Sequence, residues 1–216
     1  MKAYWSIPGP SKAPQQDCIA FHKYDGNNIR IEWSRKRGWY KYGTRKRLLD
    51  ESDEDLGCAI PIFQETLADD MEKVFKDKQF RGVQSVVVFC ELWGPSSFCG
   101  VHVPGEKLKL TPIDVSPHKK GIMLPRDFVN TFGHLDIAEV VYEGKFNHEF
   151  KEEVKSWTEV EGVVAKGVVL GKKKNPQHGL WMSKVKTRWW FEKLRKRAEE
   201  DESLRRILEE NEREQA

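Results

Sequence analysis

Two apolar runs limit what this chain can become. Val83 to Leu92 is mostly apolar until Glu91, and Glu161 to Leu170 is rich in Val, with Lys166 inside it. Neither approaches the roughly 20 residues a helix needs to cross a bilayer. Both are too apolar for a solvated loop, so they read as strands buried in a sheet. A membrane-spanning protein is thereby excluded. Eight Trp, eleven Phe and five Tyr among 216 residues exclude a solvated coil as well. No basic stretch followed by an apolar run opens the chain, so no secretion signal is expected and the cytoplasm is the expected location.

Further strand-like segments are Cys18 to Phe21, Ile29 to Trp33, Trp39 to Tyr42, Leu108 to Val115, Ile137 to Tyr142 and Gly179 to Val185. The first two flank a polar turn, Lys23 to Asn28, rich in turn-formers. Helical spacing covers Pro61 to Lys78, Pro125 to Phe132 and Asn147 to Trp157. From Trp189 onward the composition is helical, with Leu204, Ile207 and Leu208 as a modest apolar face. The first seventeen residues, with Pro8, Gly9, Pro10 and Pro14, read as an irregular lead-in. Strands and helices do not alternate regularly. The expected class is α+β, with mainly antiparallel sheets, flanking helices and a C-terminal helix.

Lys plus Arg total 37 and Asp plus Glu 34, but the balance is uneven along the chain. Lys172 to Arg197 holds ten basic residues against Glu192 alone, while from Ala198 onward acids outnumber bases eight to three. The basic block is either a face turned to a polyanion or a helix whose charges pair along its own surface. Four cysteines form no Cys-x-x-Cys pair; Cys18 with His22, or Cys99 with His102, supplies at most half of a zinc site. Reduced thiols are the expectation.

Four short clusters carry residues suited to chemistry. Lys23-Tyr24-Asp25-Gly26 sets an amine beside a tight turn, although a surface lysine in a hairpin explains it equally simply. Glu91 follows the buried-type residues Val86 to Cys90 and leads into Leu92-Trp93-Gly94. Glu161-Gly162-Val163-Val164-Ala165-Lys166 repeats the theme of an acid beside a buried run. A carboxylate there needs a cation, a metal or hydrogen-bond donors, unless it sits at the strand's solvent end. Lys184 and Lys186, two apart on a strand, project from one face and repel unless an anion lies between them.

In this order, Lys-x-Asp-Gly, Glu-Leu-x-Gly, Glu-Gly-Val-Val-x-Lys and Lys-x-Lys resemble the ATP-dependent covalent nucleotidyltransferases: RNA ligases, DNA ligases and mRNA capping enzymes. The resemblance spans about residues 18–187. It implies a nucleotidyltransferase (ATP-grasp-like) domain over 1–187 and a charged helical extension over 188–216. Asn28 and Gly43-Thr44-Arg45 look like the RNA ligase branch, and the thirty residues after Lys186 are too few for the OB-fold of the other branches. The expectation is a small, phage-type RNA ligase, in the host cytoplasm if phage-encoded.

The resemblance further implies ATP as substrate, AMP covalently bound to Lys23, Mg²⁺ or Mn²⁺ as the metal, and RNA or nicked nucleic-acid strand ends as partners. Lys23 would be the nucleophile, its pKa lowered by Lys184, Lys186, the metal and partial burial. Glu161 would direct the metal, Glu91 would contact the ribose, and Asp25, Gly26 and Asn28 would hold the nucleotide and its water. Arg45 would hold a phosphate, Lys166 the AMP side, and Lys184 and Lys186 the phosphates. The basic block with Trp189 and Trp190 would engage strand ends, or the two Trp would simply pack a helix. Two departures stand out: the Leu108–Val115 strand lacks the aromatic that relatives commonly stack on adenine, so that either an aliphatic such as Ile113 covers the base or the aromatic comes from elsewhere, and His22 stands where an acid is common before the nucleophile. A minimal DNA ligase, a GTP-using capping-type enzyme and a binding module without catalysis are the alternatives.

Overall fold

The computed structural model describes residues 3–95, 97, 102–169 and 179–215. Nine strands form two antiparallel sheets among these residues. We label them β1 (Asp17–Lys23), β2 (Gly26–Ser34), β3 (Gly38–Gly43), β4 (Leu48–Leu49), β5 (Ser85–Trp93), β6 (Lys109–Pro117), β7 (Val140–Lys145), β8 (Gly162–Val168) and β9 (Leu180–Lys186). One sheet has the order β7-β1-β8-β9 and the other β4-β3-β2-β5-β6. The helices are α1 (Ala59–Thr66), α2 (Ala68–Lys76), α3 (Pro125–Phe132), α4 (His148–Ser156), α5 (Arg188–Ala198) and α6 (Glu202–Gln215).

Alternation along β1 divides the core. Ile19 and Phe21 enter the main cluster with Ile29, Ile31, Val88, Phe63, Phe75 and Phe128. Cys18 and Ala20, on the opposite face, enter a second cluster with Phe150 and Val154 of α4. A third cluster joins the sheets, with Phe89 of β5 meeting Val164 of β8, Met182 of β9 and Tyr4 from the lead-in. The α+β class and the antiparallel sheets stand as expected, and α3 keeps the bounds read from sequence.

Three local readings are corrected. The segments around Lys23 to Asn28 are no hairpin: β1 and β2 belong to different sheets, and Tyr24-Asp25 carries the chain from one to the other. Gly26 is required at that crossing, because a Cβ there would lie 2.1 Å from the Leu92 carbonyl oxygen. The helix expected over Pro61 to Lys78 breaks at Leu67, whose φ of −132° leaves the helical region. The single tail helix is two, because Asp201 accepts from the Ser203 backbone N–H and starts α6 afresh.

Candidate active site

Strand register assembles the site. Lys23 at the end of β1 lies opposite Gly162 in β8, and Gly162 lies opposite Lys186 in β9. The row is tight: Gly162 has φ +151°, and a Cβ there would fall 2.0 Å from the Val185 carbonyl oxygen. Glu161, one residue earlier, is thereby set between two ammonium groups. Its Oε2 accepts from Lys23 Nζ at 2.8 Å, and its Oε1 meets Lys186 Nζ at 2.6 Å. Thr187 fixes this arrangement from below. Its backbone N–H donates to the Glu161 carbonyl at 2.9 Å, its hydroxyl donates to Val160 O at 2.8 Å, and that hydroxyl oxygen also caps α5 through Trp190 N–H. In the sequence, Thr187 shows only as a Thr shortly before a helical run, the usual sign of a helix cap.

Glu161 is 4% exposed, so it is not an acid at the solvent end of a strand. Its carboxyl is lowered despite burial, because Lys186 and Lys23 stabilise its charge. The consequence for Lys23 reverses the expectation from sequence. Burial pulls its ammonium down, but Glu161, Glu91 and Asp25 outweigh burial and leave the pKa raised. The flanking cations do not neutralise Lys23. Lys186 is the depressed amine, brought to about 8 chiefly by burial, with Lys23 and Lys184 acting in the same direction.

The other sheet faces this row. Asn28 of β2 lies opposite Glu91 of β5 and donates to the Cys90 carbonyl at 3.3 Å. Asn28 Oδ1 is buried without a hydrogen-bond partner among the described residues. Burial raises the Glu91 carboxyl to about 7, against the pull of Lys23 and aided by Glu161. Between the sheets lies a cavity of about 560 Å³. Lys23, Gly26, Asn28, Arg45, Glu91, Lys166, Lys184 and Lys186 all line it. Asp25 and Glu161 are not on its wall: Asp25 accepts from the Ser97 hydroxyl through its carbonyl, and Glu161 lies beneath its two lysines. Arg45 is at the exposed rim, where it donates to Trp5 O at 3.3 Å.

At the cavity floor is a feature the sequence did not announce. Lys166 Nζ meets Asp114 Oδ2 at 2.8 Å and donates to Ile113 O at 2.7 Å, and the Tyr4 hydroxyl donates to the same Asp114 carboxylate. Burial pushes Asp114 up and Lys166 down, each against the pull of its partner. The Lys166 ammonium also lies 4.6 Å from the Phe21 ring centroid. Ile113, Val164, Phe21 and Tyr4 give this end of the cavity apolar walls.

The two lysines of β9 do not share one anion. Lys186 pairs with Glu161, and Lys184 pairs with Glu214 of α6 at 2.5 Å. Trp190 is buried with Phe191 and Leu194, its ring centroid 3.3 Å from Lys186 Nζ, whereas Trp189 is partly exposed beside Lys193. Helix packing therefore accounts for Trp190. Residues 172–178 of the basic block, and Cys99, lie outside the described residues. Cys18, Cys58 and Cys90 are free thiols, and burial raises Cys18 to about 12, which disfavours the thiolate a metal would need. No group of three or more His, Cys, Asp or Glu side chains converges among the described residues. Glu161 would offer a cation an oxygen donor only where Lys23 or Lys186 releases it, since each of its oxygens is engaged by one of these ammonium groups. That donor chemistry suits Mg²⁺ or Mn²⁺.

No protein-family model matches the chain, and no curated protein matches it. Its fold does have solved counterparts. A mutant RNA ligase from Naegleria gruberi with AMP and Mn superposes with a TM-score of 0.62 at 12% identity, over 89% of this chain and 58% of that one. The RNA ligase of the same organism with PPi gives 0.61 at 14% identity, over 89% and 58%. A putative ATP-dependent DNA ligase from Aquifex aeolicus gives 0.61 at 15% identity, over 88% and 51%. The chain thus spans between half and three fifths of the length of these proteins. At such identities the likeness is one of fold: over most of its length the chain shares the fold of these ligases.

Proposed function

We propose that this chain is the nucleotidyl-transferring core of an ATP-dependent polynucleotide ligase, and that it seals RNA ends bearing a 5′-phosphate and a 3′-hydroxyl. The observation that carries the reading is the Lys23 amine 2.8 Å from a buried carboxylate that a second lysine also grips, at the wall of a nucleotide-sized cavity. A structural lysine has no need of that arrangement. Residues 1–187 would be the adenylyltransferase unit, and 188–216 a charged helical extension whose first helix braces Lys186 through Trp190.

The chemistry follows from the side chains. Lys23 rests as an ammonium, because three carboxylates hold its proton in place. It becomes a nucleophile when the charge of Glu161 is drawn elsewhere, since removing that stabilisation lowers the amine's pKa. A divalent cation on Glu161, where bound, supplies positive charge for the α-phosphate oxygens. Lys23 first gives up its ammonium proton to solvent; Nζ then forms a bond to the α-phosphorus as the bond to pyrophosphate breaks, and its second proton leaves to solvent or to the departing pyrophosphate, giving lysyl-AMP. A 5′-phosphate oxygen takes the AMP from Lys23, and a 3′-hydroxyl displaces it to form the phosphodiester. Lys186 and Lys184 oppose the charge that builds on the phosphoryl oxygens, with Arg45 at the rim as a further phosphate contact.

The nucleobase is assigned to the apolar end, where Ile113 provides the cover that an aromatic gives in relatives and Lys166 contacts the AMP. Asn28, with its unpartnered buried oxygen, and Gly26 hold the nucleotide and its water, Glu91 contacts the ribose, and Asp25, behind the wall, acts through its charge on Lys23. RNA as substrate rests on Asn28 and Arg45. The reading is tested by offering the protein, with ATP and Mg²⁺, 5′-phosphorylated RNA as single strands and as nicked duplex beside nicked duplex DNA. Joined RNA supports it. Efficient joining of the DNA nick with none of the RNA would make the protein a DNA ligase, and AMP capture without joining would leave only the first half-reaction.

A further inference from the structure

The acidic helix α6 reaches back to the cavity. Glu214 in its last turn pairs with Lys184 Nζ at 2.5 Å, and Lys184 lines the cavity. The contact is guided by the lead-in: the Lys184 backbone N–H donates to Pro8 O at 2.9 Å, and Gly9 packs so closely on the Glu214 carbonyl that a Cβ there would fall 1.5 Å from its oxygen. Elsewhere α6 is lightly held. Leu204 and Leu208 are only partly buried against the Trp190 cluster and Ile207 is 41% exposed; the polar anchors are the surface pair of Arg195 with Glu212 at 2.7 Å and, at the first turn of α6, Arg205 donating to the Ala198 and Glu199 carbonyls at 2.7 and 2.8 Å. Exposed ion pairs and a partial apolar stripe contribute little, and a helix of this length is marginal by itself. A carboxylate thus sits on a cavity lysine, carried by an element that can leave.

We propose that α6 is a latch displaced by phosphate. Glu214 holds the Lys184 ammonium that the triphosphate of an incoming nucleotide needs, so nucleotide binding and α6 docking compete. This deepens the proposed function, because it takes Lys184 as a phosphate-binding group. The competition is direct: one ammonium cannot give its best donor geometry to a carboxylate and to a phosphate oxygen at once, and a polyanion that also meets Lys186 and Arg45 outbids a single carboxylate.

Pyrophosphate is the probe, since it carries the charge without the base. Calorimetric affinity is compared for the unaltered chain, Glu214→Gln and Glu209→Gln, the last removing a charge from the same helix where it pairs with Arg213 at 3.6 Å. Glu214→Gln should bind pyrophosphate about fivefold more tightly at low salt, with the gain shrinking as salt rises, and Glu209→Gln should not. Amide hydrogen exchange over 202–215 should quicken when pyrophosphate saturates the unaltered chain. Unchanged or weaker binding by Glu214→Gln, an equal gain in Glu209→Gln, or unaltered exchange in α6 would overturn the latch. Tighter binding by Glu214→Gln without any transfer of AMP from ATP would instead overturn the ligase reading and leave the latch standing.

Discussion

Two ionic groups share the cavity, and they differ in how their charge is satisfied. In one, the single carboxylate Glu161 serves two ammonium groups, Lys23 and Lys186, and the Lys23 side chain is 22% exposed. In the other, Asp114 serves one ammonium, Lys166, and one phenol, Tyr4, with side-chain exposures of 1% and 3% for Asp114 and Lys166. In direct contacts the first sets two ammonium groups against one carboxylate and is open to the cavity, so an incoming anion finds a donor there. The second is balanced and almost fully buried, although Lys166 borders the cavity, and it ties β6 of one sheet to β8 of the other. Proximity of lysine and carboxylate therefore does not by itself mark chemistry; the second ammonium on one carboxylate and the access do.

The contrast can be broken by substitution. Glu161→Gln should reduce AMP transfer from ATP by about a hundredfold or more, the order expected when a group that organises transition-state charge is lost. Its fold should persist, because Lys23 is partly solvated and Lys186 can shed its proton. Asp114→Asn should do the reverse. It leaves a buried ammonium with a neutral partner and should cost about 3–5 kcal/mol of stability in denaturant titration, while the protein that remains folded still takes AMP. A stable Asp114→Asn protein that takes none would move the chemistry to the second group.

How much of this was legible beforehand follows the same division. The residues of the first group stand in short clusters, and strand alternation alone aligned Lys184 with Lys186. Tyr4 and Asp114 were illegible as partners, because they meet across 110 positions and neither lies in a patterned cluster. The lead-in looked irregular because it has no period, yet it supplies Tyr4 and Ile7 to the core between the sheets. The turn at Tyr24-Asp25 carries the composition of a hairpin, and only the pairing of β1 with β7 and β8 and of β2 with β3 and β5 shows that it joins two sheets. The charge state of Lys23 is not legible in sequence, because the pattern shows the lysines of β9 while Glu91 and Glu161 reach the amine only through the fold. Val83 to Leu92, Pro125 to Phe132 and Glu161 to Leu170 were readable because burial and period agree there.

Smaller effects sharpen the comparison through pH. The Glu91 carboxyl is raised to about 7 in the fold from 4.5, so the fold retains a proton the unfolded chain releases. Its contribution is most favourable at low pH and is lost as pH rises from about 4.5 through about 7. Glu91→Gln should remove that loss, so the variant's melting temperature should gain on the parent's between pH 5 and pH 8. A constant difference would contradict the burial assigned to Glu91. Lys186 works in the opposite sense: lowered from 10.5 to about 8, it penalises the fold while charged, and stability should rise as pH climbs from about 8 towards 10.5. Lys186→Met should flatten that rise, and a rise of equal size in the variant would assign it to another group.

Central to the account is Lys23 as the one amine that accepts AMP, and site mapping tests it most directly. The protein is incubated with ATP and Mg²⁺, digested, and its peptides are weighed by mass spectrometry, beside a Lys23→Arg protein that keeps the charge but not the nucleophile. The expected result is a single AMP on the peptide containing Lys23 and none on any peptide of the variant. AMP on Lys166, Lys184 or Lys186 instead, or undiminished AMP on the Lys23→Arg protein, would contradict it.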